Sequence, residues 1–154
     1  MFKIKILYLI RYNIDVMVHL SKIQNIQKEL INMDFKNLKA KIKKECNVEI
    51  YDNKLLKAIS SKIKSSDNII SAFDCCDNDN NLCLIVATKS KMIIATNQFF
   101  KTPKINMISL SSVTDMRIKK GLFKQQLIVS NVRRDTIFYK ISQKAQLNSL
   151  ISMI

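Results

Sequence analysis

Apolar residues recur along this chain with two periods, and the change between them falls near Ser65-Ser66-Asp67-Asn68. From Ser21 to Lys64 the spacing is three to four residues, the repeat of one helix face. Ser21 is placed to cap a helix carrying Ile23, Ile26, Leu30 and Ile31, Asp34 a second carrying Phe35, Leu38 and Ile42, and Asp52 a third carrying Leu55, Leu56, Ile59 and Ile63. Ser and Asp suit those positions because their short side-chain oxygens accept hydrogen bonds from the unpaired amides of a first helical turn. Beyond Asn68 the repeat shortens to two and β-branched residues accumulate, predicting strands over 69–75, 82–88, 92–97, 105–110, 113–119, 125–130 and 136–141. The breaks carry turn chemistry: Asp77-Asn78-Asp79-Asn80-Asn81, Lys89-Ser90, Thr102-Pro103 and Gly121. Residues 142–154 return to helical spacing, with Leu147, Leu150, Ile151 and Ile154 on one face behind a Ser142 cap. A lone helix with one apolar face must cover something, and the open end of a curved sheet is the candidate.

The first twenty residues alternate, with every even position from Phe2 to Leu20 apolar. That fits a strand over 2–10, although a helix pairing Ile6, Ile10 and Ile14 is the alternative. Lys3, Lys5, Arg11 and Asp15 interrupt the run before it reaches membrane-spanning length, and no small-residue cleavage site follows it. An exposed apolar strand invites pairing with a second copy, so a homodimer through 2–10 is a further expectation. The organisation expected is therefore a mainly helical accessory segment, 1–67, followed by a strand-rich domain, 68–154.

The order of elements in the second part, seven antiparallel strands closed by a C-terminal helix, resembles the pleckstrin-homology superfold. Short motifs sharpen the likeness to its bacterial branch. Thr88-Lys89-Ser90-Lys91-Met92-Ile93-Ile94 resembles a strand ending in Thr, a turn, and a restart on a basic residue; the usual Arg is Lys91 here. Ile108-Ser109-Leu110-Ser111-Ser112-Val113-Thr114-Asp115-Met116 is similar to that family's I-P-L-x-x-I-x-x-V step, with Ser109 in place of Pro, and Lys119-Lys120-Gly121-Leu122-Phe123 to its K-K-G-L-F turn. The resemblance implies an α+β fold, with N-terminal helices followed by a seven-stranded antiparallel PH-like barrel or sandwich capped by a C-terminal helix. It also implies a noncatalytic scaffold whose specificity lies in its loops. In phosphoinositide-binding relatives the first loop supplies Lys and Arg to the phosphates. The matching loop here, 74–81, has no base and holds Asp74, Asp77 and Asp79, which disfavours a phosphoinositide.

Charge widens the choice of partner. The chain has 26 Lys and Arg against 12 Asp and Glu, a formal net charge of +14, shared by both halves. Such a balance favours anionic partners, although abundant Lys, Asn and Ile together also fit an AT-rich coding bias. Lys36, Lys39, Lys41, Lys43 and Lys44 flank the stripe of the second helix, the pattern either of a basic amphipathic surface helix or of an ordinary solvated face. Lys101 and Lys104 flank Pro103, Arg117, Lys119, Lys120 and Lys124 flank Gly121, and Arg133-Arg134 sit before the seventh strand. The resemblance places Lys101, Lys104, Arg133 and Arg134 near one rim, where Phe99 and Phe100 either add aromatic contact surface or pack inward.

Catalysis and metal binding find little support in these residues. Cys46, Cys75, Cys76 and Cys83 lack CxxC spacing and His19 is the only histidine, so a zinc site is short of ligands and a Cys–His dyad would need His19. Adjacent Cys75 and Cys76 should face opposite sides of a strand as reduced thiols. No phosphate-binding glycine loop or nucleophile elbow occurs, and Asp77-Asn78-Asp79 lacks the glycine and terminal Glu of a calcium loop. No enzyme activity, cofactor or metal is expected. The primary expectation is a cytoplasmic module that binds a protein or peptide through a sheet edge or the groove beside the C-terminal helix. The alternative is an electrostatic binder of nucleic acid or of an anionic membrane surface, which would place it peripherally at a membrane.

Overall fold

The computed structural model describes residues 14, 16–21, 33–120 and 125–153. The expected strand 2–10, with the homodimer built on it, and most of the first expected helix lie outside these residues. Among the described residues, helices α1 (Phe35–Cys46) and α2 (Asn53–Ser60) precede seven strands: β1 (Ile69–Cys76), β2 (Leu82–Thr88), β3 (Lys91–Thr96), β4 (Lys104–Ser109), β5 (Val113–Lys120), β6 (Gln125–Asn131) and β7 (Asp135–Tyr139). A 3-10 turn, Leu110–Ser112, separates β4 from β5, and helix α3 (Lys144–Ile151) follows β7. Every strand expected from the period-two pattern is present, with ends shifted by no more than two residues.

The strands form one antiparallel sheet in the order β4-β3-β2-β1-β7-β6-β5. β1 pairs with β2 from Ile69 opposite Thr88 to Cys76 opposite Leu82, but meets β7 only at Cys76 opposite Tyr139. The sheet therefore folds over at that single pair, and β1–β4 lie against β5–β7. Between the two halves sits an inner core of Phe73, Cys75, Cys83, Ile85, Ala87, Met92 and Ile94 against Leu127, Val129 and Phe138, closed by Leu147 and Leu150 of α3.

The alternate residues of β2 and β3 point the other way. Leu84, Val86, Ile93 and Ala95 join Ala72 in a second, outer core, and α1 and α2 cover it with Leu38, Ile42, Leu55, Leu56 and Ile59. The sequence shows why: Leu82-Cys83-Leu84-Ile85-Val86-Ala87 and Met92-Ile93-Ile94-Ala95 are apolar at consecutive positions, which in a strand loads both faces. All five of those helix side chains are fully buried, each contributing about 1.5–3 kcal/mol of burial before ordering costs.

Polar seams tie the helices to the sheet. Gln146 of α3 donates through Nε2 to the Cys46 carbonyl at the end of α1 (2.6 Å), Ser71 Oγ donates to the Gln146 carbonyl (2.7 Å), and Glu45 Oε2 accepts the Ile69 amide at the start of β1 (2.7 Å). Asn47, with φ 54°, ends α1 in the left-handed conformation that short polar side chains tolerate.

The expected caps fare unevenly. Asp52 caps α2 as anticipated, its Oδ1 accepting from the amides of Lys54 (2.9 Å) and Leu55 (3.0 Å). Asp34 occupies the N-cap of α1 but makes no side-chain cap bond. Ser21 is the last described residue of a solvent-exposed helical stretch, where its Oγ turns back to the Val18 carbonyl (2.9 Å), and the helix it is expected to cap lies outside the described residues. Ser142 is not the cap of α3, because its amide and Oγ both donate to the Asp74 carbonyl (3.1 Å each), which leaves Gln143 at the N-cap. Leu56→Ala should therefore destabilise the whole sheet, and not α2 alone, by about 2–5 kcal/mol in a single cooperative urea transition; a separate early transition for the helices would argue against a shared core.

Candidate ligand-binding rim

Three hairpin loops meet at one end of the folded sheet, two of them held by their own polar side chains. In the β1–β2 turn, Asp77 Oδ1 accepts the amides of Asp79 (3.0 Å) and Asn81 (2.8 Å), while Oδ2 accepts from Asn81 Nδ2 (3.1 Å). Asn80 takes the left-handed position at φ 63°. The loop is thus an Asx-stabilised turn whose leading carboxylate is occupied by its own backbone. In the β6–β7 turn, Asn131 Oδ1 accepts the amides of Arg133 (2.9 Å) and Arg134 (3.0 Å), holding both arginines out at the surface.

The β3–β4 loop is tethered where the Asn97 amide donates to the Leu82 carbonyl (2.8 Å) and then turns through Phe99 and Phe100. Those two rings meet edge to face at 5.7 Å and are 87 % and 101 % exposed, so they point outward. Phe100 also sits at φ 58°, a conformation that bulky residues avoid.

Between the loops lies a cavity of about 290 Å³. Asp77 and Asp79 reach it from the first loop, Lys104 and Asn106 from β4, and Arg134 and Asp135 from the third loop, over a floor that includes Ile94 and Phe138. Its lining includes two bases and three acids. A family model, the bacterial PH domain, matches residues 63–154, more than half of the chain and all seven strands with α3. The chain belongs to the bacterial PH domain family. Comparison with curated proteins and with solved structures returns no match. PH-like domains are generally noncatalytic modules that bind proteins or lipids.

The basic residues singled out in the sequence do not form one site on this PH domain. Lys104 and Arg134 share the rim cavity, and Arg133 is exposed on the same turn as Arg134. Lys101 faces a different groove, against α2. Lys119 and Lys120 pair with Gln126 and Gln125, at the opposite end of β6 from Asn131, and Lys124 lies outside the described residues. On α1, Lys39 Nζ stands 5.9 Å from the centre of the Tyr51 ring and Lys43 pairs with Glu49 at 3.7 Å, while Lys36 is exposed.

Sequence reasoning missed Asp135, Asn106 and the α2 lysines Lys54 and Lys57. The α2 signal was available in their three-residue spacing, whereas Asp135 and Asn106 are joined to the rim only by the strand pairing.

The thiols are placed for packing. Cys75 and Cys83 oppose each other across β1 and β2 inside the core, and Cys76 is half-buried on the other face, as alternation requires. The Cys75 thiol, held in a hydrogen bond to Cys83 and buried, is pushed well above its ordinary value. Burial, with Glu45 alongside, pushes Cys46 up to about 11. His19 is exposed on its helical stretch. Among the described residues no three His, Cys, Asp or Glu side chains converge as metal ligands, and no helix is long and apolar enough to cross a membrane.

Beneath the rim, Asp74 is half-buried with Oδ1 unpaired, although its amide donates to Gln143 Oε1 (3.0 Å). Burial raises its carboxyl above the ordinary range, against a smaller lowering by the Gln143 hydrogen bond. A raised folded value means that the folded state favours the protonated carboxyl. The resulting stability is present at acid pH and lost as pH rises through that value. Asp74→Asn should accordingly be more stable than the parent at about pH 7, with the margin gone by about pH 4; urea unfolding of both proteins at the two pH values measures this, and an equal margin at both would show that Asp74 ionises normally.

Proposed function

We propose that this PH domain is a noncatalytic binding module that takes an extended peptide segment of a partner protein along β4 and into the rim cavity. The observation that carries the reading is the position of β4: among the described residues it ends the sheet and pairs only with β3, and it delivers Lys104 and Asn106 into the cavity. An edge strand offers unpaired backbone donors and acceptors to an added strand, and the cavity then reads one or two side chains of the ligand. Met107, 54 % exposed on the same strand, provides apolar contact.

The charge pattern of the cavity supports a peptide. Lys104 and Arg134 share the cavity lining with Asp77, Asp79 and Asp135, so a phosphorylated headgroup would meet three carboxylates with two bases. A peptide carrying both signs matches that mixture. The groove beside the terminal helix is the weaker location, because α3 commits Leu147 and Leu150 to the inner core. The opposite edge, β5, is guarded by exposed Arg117, Lys119 and Lys120.

Selection of ligands from a displayed peptide library, followed by NMR titration of the selected peptide, tests this reading. Shifts are expected at the amides of 104–109 and around Arg134 and Asp135. The double substitution Lys104→Glu with Arg134→Glu should weaken binding about tenfold or more. A peptide that binds with no shift along β4, or whose affinity ignores the double substitution, would place the site elsewhere.

A further inference from the structure

The packing that buries Cys75 and Cys83 also sets their two sulfurs against each other. They are direct partners across β1 and β2, each two residues from the end of the Asp77–Asn81 turn, and both side chains enter the inner core. Opposite residues of an antiparallel pair hold their Cα atoms about 4.5–5.5 Å apart, inside the span of about 4.4–6.8 Å that a disulfide bridges without moving the backbone. Both are free thiols here, hydrogen-bonded to each other. The other two cysteines are placed elsewhere. Cys46 packs in the outer core with its Sγ toward the Ile69 carbonyl (3.9 Å), and Cys76 lies on the opposite face of β1 from Cys75.

Cys83 is also the thiol that touches the rim. Its Sγ lies 3.2 Å from Thr96 Oγ1 and donates to the Asn81 carbonyl (3.5 Å), and both of those residues line the rim cavity. Hydrogen bonds to its sulfur from Cys75 and from Thr96 hold the Cys83 thiol below its ordinary value against the opposing effect of burial, while Cys75 is held well above its own. The pair is therefore polarised: Cys83 gives up its proton first and Cys75 keeps its own. A thiolate beside a protonated thiol is the arrangement of an attacking and a resolving cysteine.

We propose that Cys83 and Cys75 form an oxidation site beneath the rim, which hydrogen peroxide converts to a disulfide between β1 and β2. The Cys83 sulfur attacks one peroxide oxygen: an S–O bond forms, the O–O bond breaks, and the departing hydroxide takes up the proton that Cys83 released and leaves as water. The Cys75 sulfur then attacks the sulfur of the resulting sulfenic acid. The S–S bond forms, the S–O bond breaks, and the second hydroxide leaves as water with the Cys75 proton. Two thiols and one hydrogen peroxide give one disulfide and two waters, the sulfurs supplying the two electrons that reduce the peroxide. Hydrogen peroxide is little larger than water, so the rim cavity brings it to Thr96, the side chain in contact with Cys83. Bridging removes the Cys83 S–H that the Asn81 carbonyl accepts, so oxidation is felt in the rim lining whatever ligand the rim takes.

Treatment of the folded full chain with a modest excess of hydrogen peroxide, followed by intact mass measurement and fragment mapping, tests it. The expected product weighs two hydrogen atoms less than the parent, keeps two of its four thiols and returns to the parent mass with a dithiol reductant. Cleavage before Asp77, between the two cysteines, should leave the flanking fragments joined. Cys76→Ser should form the bridge as the parent does. Cys75→Ser should stop at the Cys83 sulfenic acid, which dimedone captures, and Cys83→Ser should give neither product. The mapping on the parent decides by itself if a serine variant fails to fold. The amide resonances of Asn81 and Thr96 should shift on oxidation, and the rate should stay level with urea below the unfolding transition, because the reaction belongs to the folded state. Four free thiols after treatment, a bridge that includes Cys46 or Cys76, or dimedone capture at another cysteine would overturn the proposal. So would a rate that climbs with urea in step with the unfolded fraction, which would make Cys75 and Cys83 inert packing thiols.

Discussion

Burial of β2 and β3 on both faces is the constraint to which the rest of this structure answers. A strand with apolar side chains at consecutive positions cannot leave either face in water, and two such strands in register present two apolar surfaces back to back. One is covered by folding the sheet over at the Cys76–Tyr139 pair, which brings β5–β7 and α3 across it. The other needs cover from outside the seven strands, and α1 and α2 supply it. The seams at Gln146, Ser71 and Glu45 satisfy buried backbone groups where the two coverings meet.

That arrangement also determines what the surface can do. With both broad faces of β1–β4 occupied, contact with a partner is left, among the described residues, to the ends and edges: the rim, the outer side of β4 and the β3–β4 loop. The loop divides two environments of opposite character. Toward the rim, acids and bases share the lining of a polar cavity. Toward α2, lysines gather around apolar and aromatic side chains with no carboxylate among the described lining residues. Because α2 contributes Lys54, Lys57 and Ala58 to the second environment, the helices that complete the core also shape the surface.

Much of the strand layout was legible because its signals are local. Alternation, β-branching and the Asp77–Asn81, Lys89-Ser90 and Thr102-Pro103 breaks each act within a few residues, and the family motifs at 88–94 and 108–116 fall on the hairpins and strands that they imply. The cap at Ser142 misled because a serine hydroxyl has several acceptors within reach, and tertiary position decides among them. In the site, the alternation that foretold the faces of Cys75 and Cys76 could not show that Lys101 and Lys104, three residues apart, belong to different surfaces. That separation arises from α2 packing beside the loop. The unbroken apolar runs 82–87 and 92–95 did contain the clue to two-sided burial, since a half-exposed strand would have alternated.

The most direct test of two-sided burial is to produce residues 63–154 alone and compare them with the full chain by urea unfolding, dye binding and amide hydrogen exchange. Without α1 and α2, the face formed by Leu84, Val86, Ile93 and Ala95 is exposed. The expected result is a fragment that binds hydrophobic dye, aggregates or exchanges rapidly at the amides of β2 and β3. A fragment that is monomeric, binds no dye and unfolds at the same urea concentration as the full chain would contradict a sheet that depends on cover from both sides.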